Sequence, residues 1–247
     1  MTTGTLGWFG ILRLGLVQTA LGAIVVLTTS TMNRVMVVEL ALPAMLPGAL
    51  VTLHYALQVL RPRFGYGSDR GGRRVPWIIG GMAVLAIGGV GAAAATAWMT
   101  TNTLAGVALA VAAFVLIGVG VGACGTSLLA LMATHVAPSR RSVAAMIMWM
   151  MMIAGIVVTA TSAGHFLDPF TPARLIEVTA SVAGAAFVVT CLAALGMERA
   201  QSRAEPEEPA APKPPFLKAL SEVWADPLAR GFTVFVFLSM LAYSAQD

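Results

Sequence analysis

The chain has 247 residues, of which 58% are hydrophobic and 11% charged, and its mean hydropathy is +0.84. So apolar a composition cannot cover its own surface with polar groups, which excludes a freely soluble domain and makes lipid part of the solvent. The formal charge of +4 does not mark a nucleic-acid binder, because the basic residues cluster in short loops between apolar runs, the pattern that encodes membrane topology.

Each apolar run is read against the roughly 20 helical residues that a bilayer core of about 30 Å requires. The N-terminus lacks the basic region and cleavage site of a signal peptide, so the first run is expected to remain as an anchor. Span 1 covers 11–32 and carries Gly15, Thr19 and Gly22, a small-residue stripe suited to close helix packing. Asn33 and Arg34 are expected to end it. Pro43 and Pro47 mark the entry to span 2, at 44–60, where His54 and Gln58 share a face four residues apart. Arg34 and Glu39 form an outer-face polar pair.

A short polar stretch, 65–74, follows and reads as a turn rich in glycine and arginine. Span 3 is expected at 76–99, with Pro76 in the first helical turn, where no backbone donor is needed. Span 4, at 104–134, holds Gly118, Gly120, Gly122 and Gly125. These would weaken a soluble helix but permit close helix approach in a membrane. Span 5, at 143–163, is methionine-rich around Trp149, and span 6 covers 174–196. Residues 1–198 therefore read as an all-α bundle of six transmembrane helices. Composition then changes: 199–215 is a linker rich in charge and proline, 216–229 an amphipathic helix lying in the membrane interface, and 230–247 the start of a seventh span that stops short. The expectation is a piece of a longer protein.

Placing the N-terminus, the 65–74 stretch and the linker on one side leaves only Arg34 and Arg174 of the 15 lysines and arginines on the other. By the positive-inside rule the first side is cytoplasmic. Cys124 and Cys191 lie in apolar runs and read as small buried hydrophobes. There is no CxxC or HExxH spacing and no protein-borne metal cluster. A nucleophile–base pair is also missing, so an enzyme is not expected.

The spacing Gly65, Asp69, Arg70, Gly72, Arg73, Arg74, placed after a second span on the basic side, resembles the cytoplasmic signature of the major facilitator superfamily. Asp69 is suited to accept from an arginine or a helix N-terminus, so these six residues form a candidate conformational latch. A closer resemblance runs through Gly15 to Thr19, Thr31 to Met36, Glu39, Leu53 to Tyr55, Arg61 to Arg63, Gly65 to Asp69 and Pro76 to Ile78, and returns at Phe235 to Asp247. It is similar to the PucC/LhaA branch, the bacteriochlorophyll delivery family. The resemblance implies a non-enzymatic assembly factor in the photosynthetic intracytoplasmic (inner) membrane of a bacterium. It implies bacteriochlorophyll a as the cofactor, with carotenoid or lipid as other occupants. The implied partners are light-harvesting antenna polypeptides or the reaction-centre–antenna core complex, and membrane lipids. The alternative is a secondary transporter that moves a small amphipathic solute by alternating access. No acidic residue lies deep in spans 1, 2, 4 or 5, which argues against proton coupling.

In that superfamily spans 1, 2, 4 and 5 line the central cleft. At about 1.5 Å per residue, His54, Gln18, Thr126, Ser127 and Trp149 fall at a common depth of roughly 10 Å from the basic side. Together with Gln58 they are the candidate ligand residues. His54 has several readings: an imidazole satisfied by Gln18 or Gln58, a group that gates or takes up a proton, or an axial ligand to the magnesium of bacteriochlorophyll.

Overall fold

The computed structural model describes residues 6–70, 72–198 and 215–244, which form two units. The first unit contains seven helices among the described residues. Helix α1 is Trp8–Glu39, followed by α2, Met45–Ala56, and α3, Arg61–Arg70. Then come α4, Val75–Trp98, α5, Thr103–His135, α6, Arg141–Phe166, and α7, Pro172–Ala194. Five of these, α1, α4, α5, α6 and α7, are long and apolar enough to cross a membrane, and the chain is a polytopic all-α membrane protein.

Span 2 is not among the five. Its α-helix has 12 residues and passes into a 3-10 turn at Leu57–Leu60, and His54, Tyr55 and Gln58 dilute its apolar character. Span 1 is longer than the sequence implies. The helix passes through Asn33 and Arg34 to Glu39, through π turns at Leu27–Thr31 and Val35–Glu39. Polar side chains end an apolar run, but they do not end a helix.

What stops α1 is a left-handed residue. Ala41 has φ 51°, and the Leu42 N–H bonds back to Met36 O at 3.0 Å, just ahead of Pro43. Glycine normally fills this position, because a Cβ there costs about 1–2 kcal/mol. Ala41→Gly is therefore expected to stabilise the folded chain by roughly 1 kcal/mol. The check is a raised thermal midpoint in detergent; an unchanged or lower midpoint would contradict the strain at this residue.

The glycine–arginine stretch also differs from expectation. Residues 65–70 belong to helix α3 and do not form a turn. Within this helix a Cβ on Gly67 would lie 2.8 Å from the Trp77 ring and one on Gly65 would lie 3.3 Å from the Thr126 methyl, so both glycines serve close packing. The return of the chain is made at Gly72, which has φ +67°. Gly71 lies outside the described residues.

Helix α4 is central and packs on α5 and α7; α1 packs on α7 and α6, and α2 and α3 pack on α5. Helices α1, α4, α5 and α7 thus make the core, with α2–α3 and α6 on its flanks. The α4–α5 seam is backbone against backbone. A Cβ on Gly81 would sit 2.5 Å from Cys124 N, and one on Gly120 would sit 2.5 Å from Leu85 N. With no hydrophobic drive between helices in lipid, such close approach supplies the dispersion energy of association. The Asn102 side chain caps α5 through the Ala105 N–H at 3.1 Å, and Thr171 caps α7 through the Arg174 N–H at 3.2 Å.

Small-residue packing in α1 follows the expected stripe. Met151 occupies the space above Gly15, Met152 that above Gly22, and Thr19 meets Gly155. The Thr19 hydroxyl donates to Met151 O at 2.9 Å. The methionines of α6 therefore divide: Met148 is buried, while Met146 and Met150 are exposed.

The second unit contains α8, Phe216–Ala225, an amphipathic helix, and α9, Pro227–Ser244. The break between them is at Asp226, earlier than the predicted 229/230 boundary. Asp226 Oδ1 accepts the Leu228 N–H at 2.8 Å, and Pro227 occupies the first helical position, which together start a new helix. The linker expected at 199–215 lies, up to residue 214, outside the described residues, as do the last three residues of the predicted seventh span.

Candidate functional site

Two of the six predicted latch residues, Asp69 and Arg74, meet at the end of the bundle where α1 begins. Asp69 Oδ1 accepts from Arg74 Nη2 at 2.6 Å and from Nε at 3.1 Å, which joins α3 to the start of α4. Arg74 Nη1 also donates to Ala130 O at 3.0 Å and to the Thr134 hydroxyl, which brings in the last turns of α5. A cation is favourable there, because the C-terminus of α5 presents the negative end of its dipole. Arg70 and Arg73 are exposed.

A fourth element enters through Glu198, which sequence reasoning missed. Its Oε1 accepts the backbone N–H groups of Arg74 and, at 3.2 Å, Val75. A carboxylate is thereby held on the orphan donors at the N-terminus of α4, where charge and dipole agree. The signal was a lone acid just past Gly196, whose φ of +73° marks the close of α7. Arg13 makes a matching contact at the other end of the chain order. Its Nε donates to Ala193 O at 2.9 Å and its Nη2 to Leu195 O, capping α7.

The predicted belt of ligand residues separates into two seams. On the α2–α5 seam, His54 is 2% exposed and its Nδ1 is buried without a partner. The expected partner does not reach the ring: Gln58 Nε2 donates to the His54 carbonyl at 3.3 Å, and Gln58 Oε1 accepts from Arg61 Nε at 2.6 Å. Gly118 allows this approach, since a Cβ there would lie 3.1 Å from His54 O, and Phe64 and Gln58 lie over Gly122. The Thr126 hydroxyl, further along the seam, and the Ser127 hydroxyl on the same helix are buried without partners.

Gln18 lies on the other seam, between α1 and α6. Its Nε2 is 3.2 Å from Met152 Sδ, and its Oε1 is buried and unpartnered. Since α2 packs on α5 and α6 on α1, Gln18 is not the partner of His54. Trp149 stands on the outer face of α6, 55% exposed, and does not close over His54. Arg34 and Glu39 do pair, at 3.8 Å, at the opposite end of the bundle.

What these features define together is a polytopic helical membrane protein with a charged clamp at one end and unpartnered polar groups buried between its helices. A sequence model described as "PUCC protein" matches residues 31–247, and the chain belongs to that family. It is 55% identical over 243 residues to the protein named "Bacteriochlorophyll synthase 44.5 kDa chain" of Rhodobacter capsulatus, covering 98% of this chain and 56% of that one. It is 32% identical over 257 residues to "Protein PucC" of Rhodovulum sulfidophilum, with 96% and 55% covered. It is 34% identical over 207 residues to "Protein PucC" of Cereibacter sphaeroides, with 76% and 44% covered. The chain spans about half the length of these relatives. The resemblance read in the sequence is thereby borne out at the level of this family.

Proposed function

We propose that this chain is part of a membrane assembly factor for light-harvesting antenna complexes, one that binds bacteriochlorophyll and hands it to antenna polypeptides or to the reaction-centre–antenna core. Membership of the family and the names of its relatives support a role tied to bacteriochlorophyll. The observation that carries the reading in this chain is His54, an imidazole buried between apolar helices with an unpartnered Nδ1. A buried polar group without a partner costs roughly 1–3 kcal/mol, and a ligand atom would remove that cost. A neutral imidazole nitrogen suits the magnesium of a bacteriochlorophyll, the Lewis acid the pigment brings when bound. Carotenoid or lipid would meet the apolar surface without needing the imidazole.

Access to His54 requires α2 to part from α5. The Asp69–Arg74 clamp holds α3, the continuation of α2, to α5, so in this reading the latch controls the seam. The membrane is the photosynthetic inner membrane, with the N-terminus and the clamp cytoplasmic, and α8 lies in the interface. We read the protein as a binder and not a catalyst.

The test is the absorption spectrum of protein purified from a pigment-making host. Near-infrared pigment is expected at close to stoichiometric level, and His54→Leu is expected to lower it at least tenfold while leaving the helical content unchanged. Pigment content that is the same in both proteins would remove His54 as the ligand.

A further inference from the structure

A cavity of about 540 Å³ opens at the far end of α1, away from the clamp. Ser30, Thr31, Arg34 and Glu39 line it from α1, Gly164 from α6, and Asp168 from the loop that follows. Both π turns of α1 contribute to it, and such widened turns recur where a helix must present side chains to a ligand. The hydroxyls of α1 divide at this point. Thr28 and Thr29 bond back to the carbonyls of Ile24 and Val25, whereas Ser30 and Thr31 have no hydrogen-bond partner among the described residues. The Arg34 side chain is 63% exposed and meets Glu39 only at 3.8 Å, which leaves most of its donors to the cavity. The cavity therefore offers one guanidinium, two carboxylates and two hydroxyls.

That set matches a group with one anionic and one cationic end. We propose that the cavity binds a phosphate–ammonium zwitterion of the ethanolamine type. Arg34 and the two hydroxyls take the phosphate oxygens, which suits the fork of a guanidinium. Glu39 and Asp168 take the ammonium. Depth assigns the source to a lipid headgroup. Arg34 stands about 21 residues beyond Arg13, or roughly 32 Å along the helix, just past the thickness of the hydrocarbon core. Val157 and Val158 are exposed on α6, one to two turns before Gly164, and provide apolar surface for the acyl chains.

The chain would be held in nanodiscs containing equal phosphatidylethanolamine, phosphatidylcholine and phosphatidylglycerol, and the lipids retained after detergent extraction counted by mass spectrometry. Phosphatidylethanolamine is expected at least tenfold above its share. Asp168→Asn and Arg34→Gln, both at exposed positions, are each expected to return it to that share with no change in thermal midpoint. Equal retention of phosphatidylcholine, whose quaternary ammonium has no N–H, overturns the proposal. So does equal retention of phosphatidylglycerol, or enrichment that survives both substitutions. The wild-type headgroup series stands even where a variant fails to fold. If soluble phosphoethanolamine displaces the lipid at equal concentration, the same chemistry belongs to a free solute and the lipid assignment is overturned.

Discussion

Valine at Gly120 is expected to abolish the folded bundle. The added Cβ would lie 2.5 Å from Leu85 N and 2.8 Å from Gly81 O and Leu85 Cα. These are backbone atoms in the middle of α4, so no side chain can swing away to make room. Overpacking usually costs about 1–3 kcal/mol, and more where the obstacle cannot move; here two helices must separate, and a cost of at least about 3 kcal/mol is expected. The loss would spread, because α4 also carries α7, and α7 carries α1. The check is the monodisperse fraction on size-exclusion chromatography in mild detergent, compared with Gly125→Ala. A Cβ on Gly125 meets only Leu21 Cδ1, at 3.7 Å, and that variant is expected to behave as the wild type within about 0.5 kcal/mol. If both variants survive equally, the α4–α5 seam is not the close contact described.

The second large effect is expected at Arg74. Replacing it with glutamine removes two bonds to Asp69, one to Ala130 O and one to the Thr134 hydroxyl. The Arg74 side chain is 17% exposed and that of Asp69 is 47% exposed, so solvent screens part of the pair. A stability loss of about 2–3 kcal/mol follows from the charge-assisted bonds that remain unreplaced. Lysine should recover only part of this, because an ammonium cannot reproduce the forked contact. A separate readout addresses the latch: a cysteine placed at buried Leu50 on α2, one turn before His54 on the same face, should label faster in Arg74→Gln, by about tenfold, as α2 loosens from α5. Equal labelling with lowered stability would leave Arg74 a clamp that holds the fold together without gating the His54 seam.

Much of this architecture was legible in residue patterns, and what was not has identifiable causes. The ends of α4, α5, α6 and α7 lie within a few residues of the apolar runs, because proline and capping side chains at Pro76, Asn102 and Thr171 coincide with the change in polarity. The Gly15, Thr19 and Gly22 stripe meets another helix as expected. Where polarity and helicity part company the reading went astray: Asn33 and Arg34 do not stop α1, and Gly65 and Gly67 lie inside a helix, where they serve contact with Thr126 and Trp77, not turning. Equal depth also proved a poor guide to proximity. His54 and Gln18 fall at similar estimated heights, yet the helix pairs that bury them are different, and pairing depends on surfaces that a one-dimensional pattern does not order. Glu198 escaped because a single acid after a span looks like any polar residue until the donors it meets are known.

Glu198 also bears on how the molecule is made. Its bonds to the start of α4 join residues 124 positions apart, and the bond from Arg13 to Ala193 joins residues 180 apart. At a synthesis rate of about 5–20 residues per second, the start of α4 waits roughly 6–25 s for its carboxylate. The α4–α5 hairpin can zip along its glycine seam well before then. The clamp, by contrast, is completed only when the ribosome has passed the end of α7. The bundle is thus closed late in its own synthesis, and a nascent chain interrupted before residue 198 leaves the start of α4 without its cap.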